Sequence, residues 1–102
     1  MSICLQATLE IEGTGFARFT EIMGETVPIL EAVGWKLDGA YMHCTGRLNT
    51  VVDLWLLEDY NHYQRGMQAL MAHPRFAAIH KVLGETVRNE TLVFLQKFSY
   101  AR

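Results

Sequence analysis

The chain has 102 residues, of which half are hydrophobic and a fifth are charged, and its formal net charge is -2. This length suits a single domain over residues 1–102, and the charge offers no basic surface for nucleic acid. No apolar run approaches the ~20 residues of a membrane span, and the first residues lack the pattern of a signal peptide. We therefore predict a cytoplasmic protein with no nucleic-acid or membrane partner. Its cysteines, Cys4 and Cys44, lie in predicted strands, where they are buried reduced thiols or, alternatively, form a disulfide or a reactive thiol.

The first third of the chain predicts a strand followed by a helix. Residues 3–11 alternate apolar and polar side chains, which is the period of a strand with its odd-numbered residues inward. Pro28 lies inside the following helix, where it removes a backbone donor, so we expect a kink near Gly24 or two shorter helices. The helix spans about residues 15–33, and one face of it is apolar: Phe16, Phe19, Met23, Val27 and Leu30.

The middle of the chain predicts two further strands and a connection between them. The second strand covers residues 35–45, with a bulge or irregular start at residues 38–39. Residues 45–50 form a hairpin connection, and the third strand follows it up to Leu57. This third strand is apolar on both faces, whereas a strand at the surface of a sheet usually has one polar face.

The length of the connection determines which residues of the two strands lie opposite each other. With a connection of two or four residues, Thr45 lies opposite Thr50, and a three-residue loop would reverse the pairing of faces. The even-numbered connection places Tyr41 beside Leu54. It also puts two pairs of side chains on opposite faces of the sheet: Tyr41 with His43, and Asp53 with Trp55.

The last part of the chain predicts helical segments and a closing strand. Asp59 suits the N-cap of a helix with an apolar stripe. Residues 73–74 interrupt that helix, because the residue before a proline avoids helical dihedral angles. A further helical segment ends at Gly84, residues 85–90 are polar and predict a frayed turn or a loop, and residues 91–98 form the last strand.

The order of these elements predicts an α+β protein with a ferredoxin-like βαββαβ fold and an antiparallel four-stranded sheet. Helices in this arrangement cover one face of the sheet, and we expect the face of Val51, Trp55 and Leu57 to remain open. An apolar face of that size is unusual on a soluble monomer, and a second copy of the same sheet is the simplest cover. The sequence therefore predicts a homodimer.

The central segment, residues 43–55, resembles the NIPSNAP family. The resemblance is carried by Gly46, by Leu48 and Asn49, and by the valines and tryptophan that follow, and it extends weakly over nearly the whole chain. It implies a dimeric α/β barrel, in which two ferredoxin-like sheets close on each other with the helices outside. Relatives with this barrel include cofactor-free monooxygenases and haem-degrading enzymes, while most NIPSNAP members have no established reaction. Asp53 stands where many members carry a histidine.

Asp53 and His80 are the two candidate catalytic residues. A carboxylate in an interior strand is costly to bury without a partner. Asp53 is therefore either paired across the dimer, for instance with Arg47 or a residue of the first strand, or a general base with a raised pKa. His80 lies on an apolar helix face, where it is either a packed core residue or an imidazole that lines a pocket. By contrast, His62 and His73 have the positions of exposed residues at helix ends.

Several aromatic side chains and one histidine are candidate ligand-binding residues, although each could instead belong to the core: Tyr41, His43, Trp55, Tyr63 and Phe76. The histidines lack the spacing of a metal site, and the chain has neither a phosphate-binding glycine loop nor a nucleophile elbow. We therefore expect no cofactor. The leading hypothesis is a dimer that binds a small aromatic or apolar metabolite, as a cofactor-independent oxygenase or isomerase. The alternative is a non-catalytic binding or assembly module whose barrel is filled by its own side chains.

Overall fold

Four strands and three helices follow one another in the predicted order. The computed structural model describes residues 2–100. The strands are β1 (Ile3–Ile11), β2 (Lys36–Met42), β3 (Thr50–Leu57) and β4 (Val87–Leu95), and the helices are α1 (Phe16–Glu31), α2 (Tyr60–Ala72) and α3 (Phe76–Thr86). The strands form one antiparallel sheet in the order β2-β3-β1-β4. This arrangement confirms the predicted ferredoxin-like fold.

Strand β1 is the element around which the core forms. Its five odd-numbered residues are buried and its even-numbered residues are half-buried, as the alternating sequence predicts. The strand pairs with β3 on one side and with β4 on the other, so both of its edges are hydrogen-bonded. The helices pack on its odd-numbered face, where Leu5, Ile22 and Ile79 belong to the main hydrophobic cluster.

The prediction of which sheet face remains open is wrong. Trp55 lies opposite Leu5 and Leu57 lies opposite Ile3, so both side chains share the face of β1 that the helices cover. The open face instead carries Val52, Leu54 and Leu56, together with side chains of β4 such as Val93 and Leu95. Polarity could not distinguish the two faces of β3, because both are apolar, and the pairing with β1 decides between them.

The register between β2 and β3 also differs from the prediction. Tyr41 lies opposite Val52 rather than Leu54, and the connection between the strands spans residues 43–49. The shift is two residues, which preserves the alternation of faces, so Tyr41 and Asp53 do lie on opposite faces of the sheet. The predicted irregularity near residues 38–39 is confirmed, because the register changes between Leu37 and Gly39.

Helix α1 is continuous, in contrast to the predicted kink or division into two helices. Pro28 lies inside it, and the helix runs on for three residues beyond the proline. After the helix, the backbone N–H of Trp35 donates to the Leu30 carbonyl at 3.2 Å and that of Gly34 donates to the Glu31 carbonyl at 3.0 Å. Gly34 has a φ of 92°, which a residue without a Cβ adopts readily.

The chain passes from α3 into β4 without the predicted loop. Helix α3 continues past Gly84 to Thr86, and the strand begins at the next residue, Val87. The transition is fixed by the backbone N–H of Glu12, which donates to the Thr86 carbonyl at 2.7 Å. Of the predicted polar segment 85–90, the first two residues end α3 and the other four begin the edge strand β4.

His62 is buried, so the prediction that it is an exposed helix-end residue is wrong. Its Nδ1 accepts a hydrogen bond from the Glu58 backbone N–H at 3.0 Å, which leaves Nε2 to donate to the Val33 carbonyl at 2.6 Å. Its own carbonyl accepts from the indole N–H of Trp35 at 2.9 Å. The ring therefore joins the end of β3, the start of α2 and the turn after α1.

The predicted cap of α2 is confirmed, because the Asp59 carboxylate accepts a hydrogen bond from the His62 backbone N–H at 2.8 Å. We expect Asp59→Ala to lower the free energy of unfolding by about 1 kcal/mol, since the first turn of the helix loses this acceptor. Urea denaturation measures the change. Asp59→Ser retains a capping oxygen and is the control; a loss for the serine variant as large as that for alanine would contradict this account.

Candidate functional site

A cavity of about 330 Å³ lies between the sheet and the three helices. Its walls come from the helix-covered face of β1, β3 and β4 and from inward residues of α1, α2 and α3, and most of the side chains are apolar. Gly84 of α3 belongs to the lining, and an added Cβ there would meet nothing within 4 Å, so the helix layer is open beside this residue. The volume falls within the range of roughly 300–1,000 Å³ that is typical of small-molecule sites.

Small side chains on both neighbouring strands provide the space around Asp53. Ala7 of β1 lies opposite Asp53 on one side, and Ala40 of β2 lies opposite it on the other. Side chains directly opposite each other in an antiparallel pair are close neighbours, so a larger residue at either alanine would fill the volume beside the carboxylate. The carboxylate therefore projects from the middle strand into open space rather than into packed side chains.

Burial in this apolar environment raises the pKa of the Asp53 carboxyl from its ordinary 3.8 to about 6, and the negative charge of Glu90 adds to the effect. Asp53 is 4% exposed. Within one chain Arg47 is not a partner of Asp53, because it pairs with Glu10 at 2.8 Å. Asp53 lies on the helix-covered face of the sheet, opposite Ala7. Within residues 2–100, no hydrogen bond or ion pair engages its carboxylate.

A chain of aromatic side chains forms one wall of the cavity. The Trp35 and Trp55 rings meet edge to face with centroids 5.4 Å apart, and Tyr63 stacks on Trp35 at 5.7 Å. Phe94 of β4 contacts Tyr63 edge to face at 5.5 Å. These contacts hold Trp55 and Tyr63, two of the predicted ligand-binding residues, in fixed orientations beside the space that Asp53 enters.

Glu90 and Tyr63 add polar groups to this wall. Glu90 lines the cavity from β4, although the polar character of residues 85–90 predicts that they lie outside any strand. Its spacing of two residues from Leu92 and of four from Phe94 is the signal that places it on the same face of the strand. Burial, and secondarily the charge of Glu90, raises the pKa of the Tyr63 hydroxyl, so this group is a hydrogen-bond donor at neutral pH.

His80 lies at the cavity mouth rather than on a buried helix face. Its side chain is exposed and stacks on Phe76, with ring centroids 5.3 Å apart, yet it contributes to the lining. Phe76 itself packs against the core outside the cavity lining. The structure thus brings together four of the predicted site residues, Asp53, Trp55, Tyr63 and His80, in one cavity.

Two other predicted site residues lie elsewhere. His43 is in the connection between β2 and β3, where its Nδ1 is 2.9 Å from the Arg47 carbonyl, and it does not line the cavity. Tyr41 is 60% exposed, its ring lies over Gly39, and the residue borders a separate groove beside β2. The cysteines differ from the prediction as well: both are free, but Cys4 is half-buried and Cys44 is exposed in the connection.

The cavity suits a flat or apolar molecule with one group that hydrogen-bonds to a carboxylate. A carboxylate with a pKa near 6 accepts protons far more readily than an ordinary aspartate while remaining largely ionised at neutral pH. Residues 2–100 contain no cluster of three histidine, cysteine, aspartate or glutamate side chains that could hold a metal ion. None of the helices in this part of the chain is long and apolar enough to cross a membrane.

The fold and the cavity define a small ferredoxin-like α+β protein, and solved structures share that fold. An uncharacterised NIPSNAP domain protein from Burkholderia xenovorans is 23% identical, with a TM-score of 0.82 over 98% of both chains. A NIPSNAP family protein from Agrobacterium tumefaciens is 17% identical, with a TM-score of 0.83 over 98% of this chain and 89% of that one. A proposed antibiotic biosynthesis monooxygenase from Caulobacter crescentus is 16% identical, with a TM-score of 0.74 over 96% of this chain and 91% of that one.

The NIPSNAP family model matches residues 6–102, and the chain belongs to this family. Among curated proteins, none matches it. The resemblance noted in the central segment is thereby confirmed over nearly the whole chain.

Proposed function

We propose that this NIPSNAP protein binds a small, largely apolar or aromatic metabolite in the cavity and removes a proton from it with Asp53. The observation that carries the proposal is a carboxylate inside an apolar cavity with no cationic or hydrogen-bonding partner in the part of the chain that the structure describes. Proteins rarely retain an unpaired buried charge, and perturbed carboxylates in clefts are frequent at catalytic sites.

Tyr63, Trp55 and His80 have supporting roles in this proposal. Trp55 and Tyr63 form a flat wall against which an aromatic ring packs, and the Tyr63 hydroxyl donates a hydrogen bond to the anion that forms when the proton leaves. His80 at the mouth provides a second acid–base group near solvent. A cavity of this size also favours ligand binding over the alternative of a module whose interior is packed by its own side chains.

Proton transfer to Asp53 begins either of two reactions. An isomerase returns the same proton to another carbon, and nothing else is consumed. A cofactor-independent oxygenase instead lets the substrate anion react with dioxygen, which is the oxidant. The same fold occurs in the proposed monooxygenase of Caulobacter crescentus, so the fold is compatible with the second reaction, although fold alone does not assign it.

The test is a screen of aromatic and polyketide-like metabolites by thermal shift, followed by turnover assays on the compounds that bind. For a compound that is turned over, we expect kcat/KM to rise with pH up to a plateau above about pH 6, because the ionised form of Asp53 is the base. Asp53→Asn should reduce turnover by at least about a hundredfold while retaining binding. Unchanged turnover in Asp53→Asn would remove Asp53 from the mechanism.

We also propose that two copies pair through the open sheet face, in the reducing environment of the cytoplasm that suits two free cysteines. The support for pairing is the apolar character of this face, where Val52, Leu54 and Leu56 are only half-buried and Val93 and Leu95 are exposed. The chain is only 17 Å thick in its shortest dimension, which is one sheet and one helix layer. A second sheet supplies the missing layer.

A charge at the centre of the open face tests this pairing. Leu54 lies between Gln6 of β1 and Gly39 of β2, in the middle of that face. We expect sedimentation to give twice the chain mass of 11.6 kDa for the wild type and the single mass for Leu54→Lys, because a lysine would be buried unpaired at the interface. Gln68→Lys on the exposed side of α2 is the control. A folded wild-type monomer at low micromolar concentration would contradict the proposal of a dimer.

A further inference from the structure

A second apolar space adjoins the cavity on the other side of Asp53. It is a groove of about 550 Å³ between α1 and the strands β2 and β3. Apolar side chains of α1, such as Phe16, Phe19 and Val27, line one side of it, and the strand residues Leu37 and Val51 line the other. The groove is more open to solvent than the cavity.

Two residues border both spaces. Asp53 lines the cavity and the groove, and so does Met23 of α1. The partition between them is therefore a carboxylate on the sheet side and a thioether on the helix side. Methionine has three rotatable bonds and a polarisable sulfur, so it can change rotamer to admit part of a ligand at little energetic cost.

From this geometry we propose that the cavity and the groove are two subsites of one binding site, joined past Met23, and that the ligand is elongated. This inference rests on the proposed function and specifies its substrate class. The reacting hydrogen lies beside Asp53, a ring or similarly compact apolar group lies in the cavity, and an apolar chain lies in the groove. Asp53 is then at the bend of the ligand rather than at its end.

Two glycines allow each subsite to be blocked separately. Gly84 lines the cavity and Gly24 lines the groove, and a Cβ at either position meets nothing within 4 Å. Gly84→Leu and Gly24→Leu thus put an equal volume into one space or the other. Gly84→Ala and Gly24→Ala are the matched controls, because they make the same change in helix propensity with a side chain too short to block either space.

The probes are phenol and 2-n-alkylphenols up to 2-pentylphenol, titrated calorimetrically. The hydroxyl donates to Asp53, the ring enters the cavity, and the ortho chain points past Met23. For the wild type we expect affinity to rise about threefold for each added methylene, as apolar surface is buried in the groove. The isomeric 4-n-alkylphenols, whose chains point away from the junction, should show no such rise.

Gly24→Leu should abolish the rise along the ortho series while leaving phenol affinity within about twofold of the wild type. Met23→Phe, which narrows the junction, should have the same effect. Gly84→Leu should weaken phenol and every alkylphenol by at least about tenfold, because the ring loses its subsite. The two alanine variants should behave as the wild type does.

The outcomes separate the two proposals. An undiminished rise in Gly24→Leu, with binding still lost in Gly84→Leu, would overturn the two-subsite inference and leave the cavity as the ligand site. A rise that is lost equally in Gly24→Ala would also overturn it, because a methyl group cannot fill the groove. If phenol and all of its derivatives failed to bind the wild type, the proposed function and this inference would fall together.

Discussion

Gly66→Ala is expected to lower the free energy of unfolding by about 3 kcal/mol, a large effect for the addition of one methyl group. Gly66 is a buried residue of α2, and a Cβ at this position would overlap the indole ring of Trp35. The indole cannot move aside easily, because its N–H donates to the His62 carbonyl at 2.9 Å and its ring contacts both Trp55 and Tyr63. The loss should appear as a lower midpoint in urea denaturation.

Alanine at an exposed helical glycine is the matched control for this substitution. Gly24→Ala should raise the stability by up to about 1 kcal/mol, because its Cβ meets no other atom within 4 Å and alanine favours helix over glycine. The opposite signs of two chemically identical substitutions would identify the close contact with Trp35 as the cause. If Gly66→Ala also stabilised the protein, that result would contradict the close contact between Trp35 and Gly66 of α2.

Asp53→Asn is expected to stabilise the protein at neutral pH, although the same substitution removes the proposed base. The pKa of Asp53 is raised by folding from 3.8 to about 6, so the folded state binds this proton more tightly than the unfolded state does. The stability that the protonated carboxyl contributes to the wild type is therefore fully present below about pH 4 and is lost as the pH rises through about 6. Above that range the buried charge opposes folding.

The difference in unfolding free energy between Asp53→Asn and the wild type should grow by about 2 kcal/mol between about pH 4 and pH 7.5. A pKa shift from 3.8 to about 6 corresponds to a somewhat larger free-energy difference, and solvent screening at the open cavity reduces it. Comparing the two proteins at each pH cancels the contributions of the surface carboxylates Glu10, Glu25 and Glu85, whose pKa values are lowered by hydrogen bonds. A difference that does not change with pH would mean that Asp53 has an ordinary pKa.

Such a result would also bear on function. A residue whose ionised form reduces stability at neutral pH is retained when its charge is useful, and buried polar groups of this kind concentrate at active sites. If the asparagine variant is both more stable and inactive on a substrate that the wild type converts, Asp53 follows the stability–activity compromise that is expected of a catalytic base. If the asparagine variant were more stable and its turnover were unchanged, catalysis would not explain why the Asp53 charge is retained.

Some features of the site could be predicted from local sequence, and others could not. Asp53 was identified because a single carboxylate interrupts an apolar strand, which is a strong local anomaly. Glu90 was missed because the start of an exposed edge strand resembles a polar loop. The prediction for His62 is wrong because its burial depends on the turn after α1, which is distant in sequence and contributes the Val33 carbonyl as a hydrogen-bond partner.

By itself, the sequence determined the order of the elements, the strand over Ile3–Ile11, the cap at Asp59 and the ferredoxin-like fold, because alternation, helical spacing and capping are local signals. Only the tertiary structure decided which face of β3 the helices cover, since both faces are apolar and the choice depends on pairing with β1. It likewise decided that Ala7 and Ala40 flank Asp53. The residues that line the cavity are distant from one another in sequence. Its volume depends on side chains that come together only when the strands are in register.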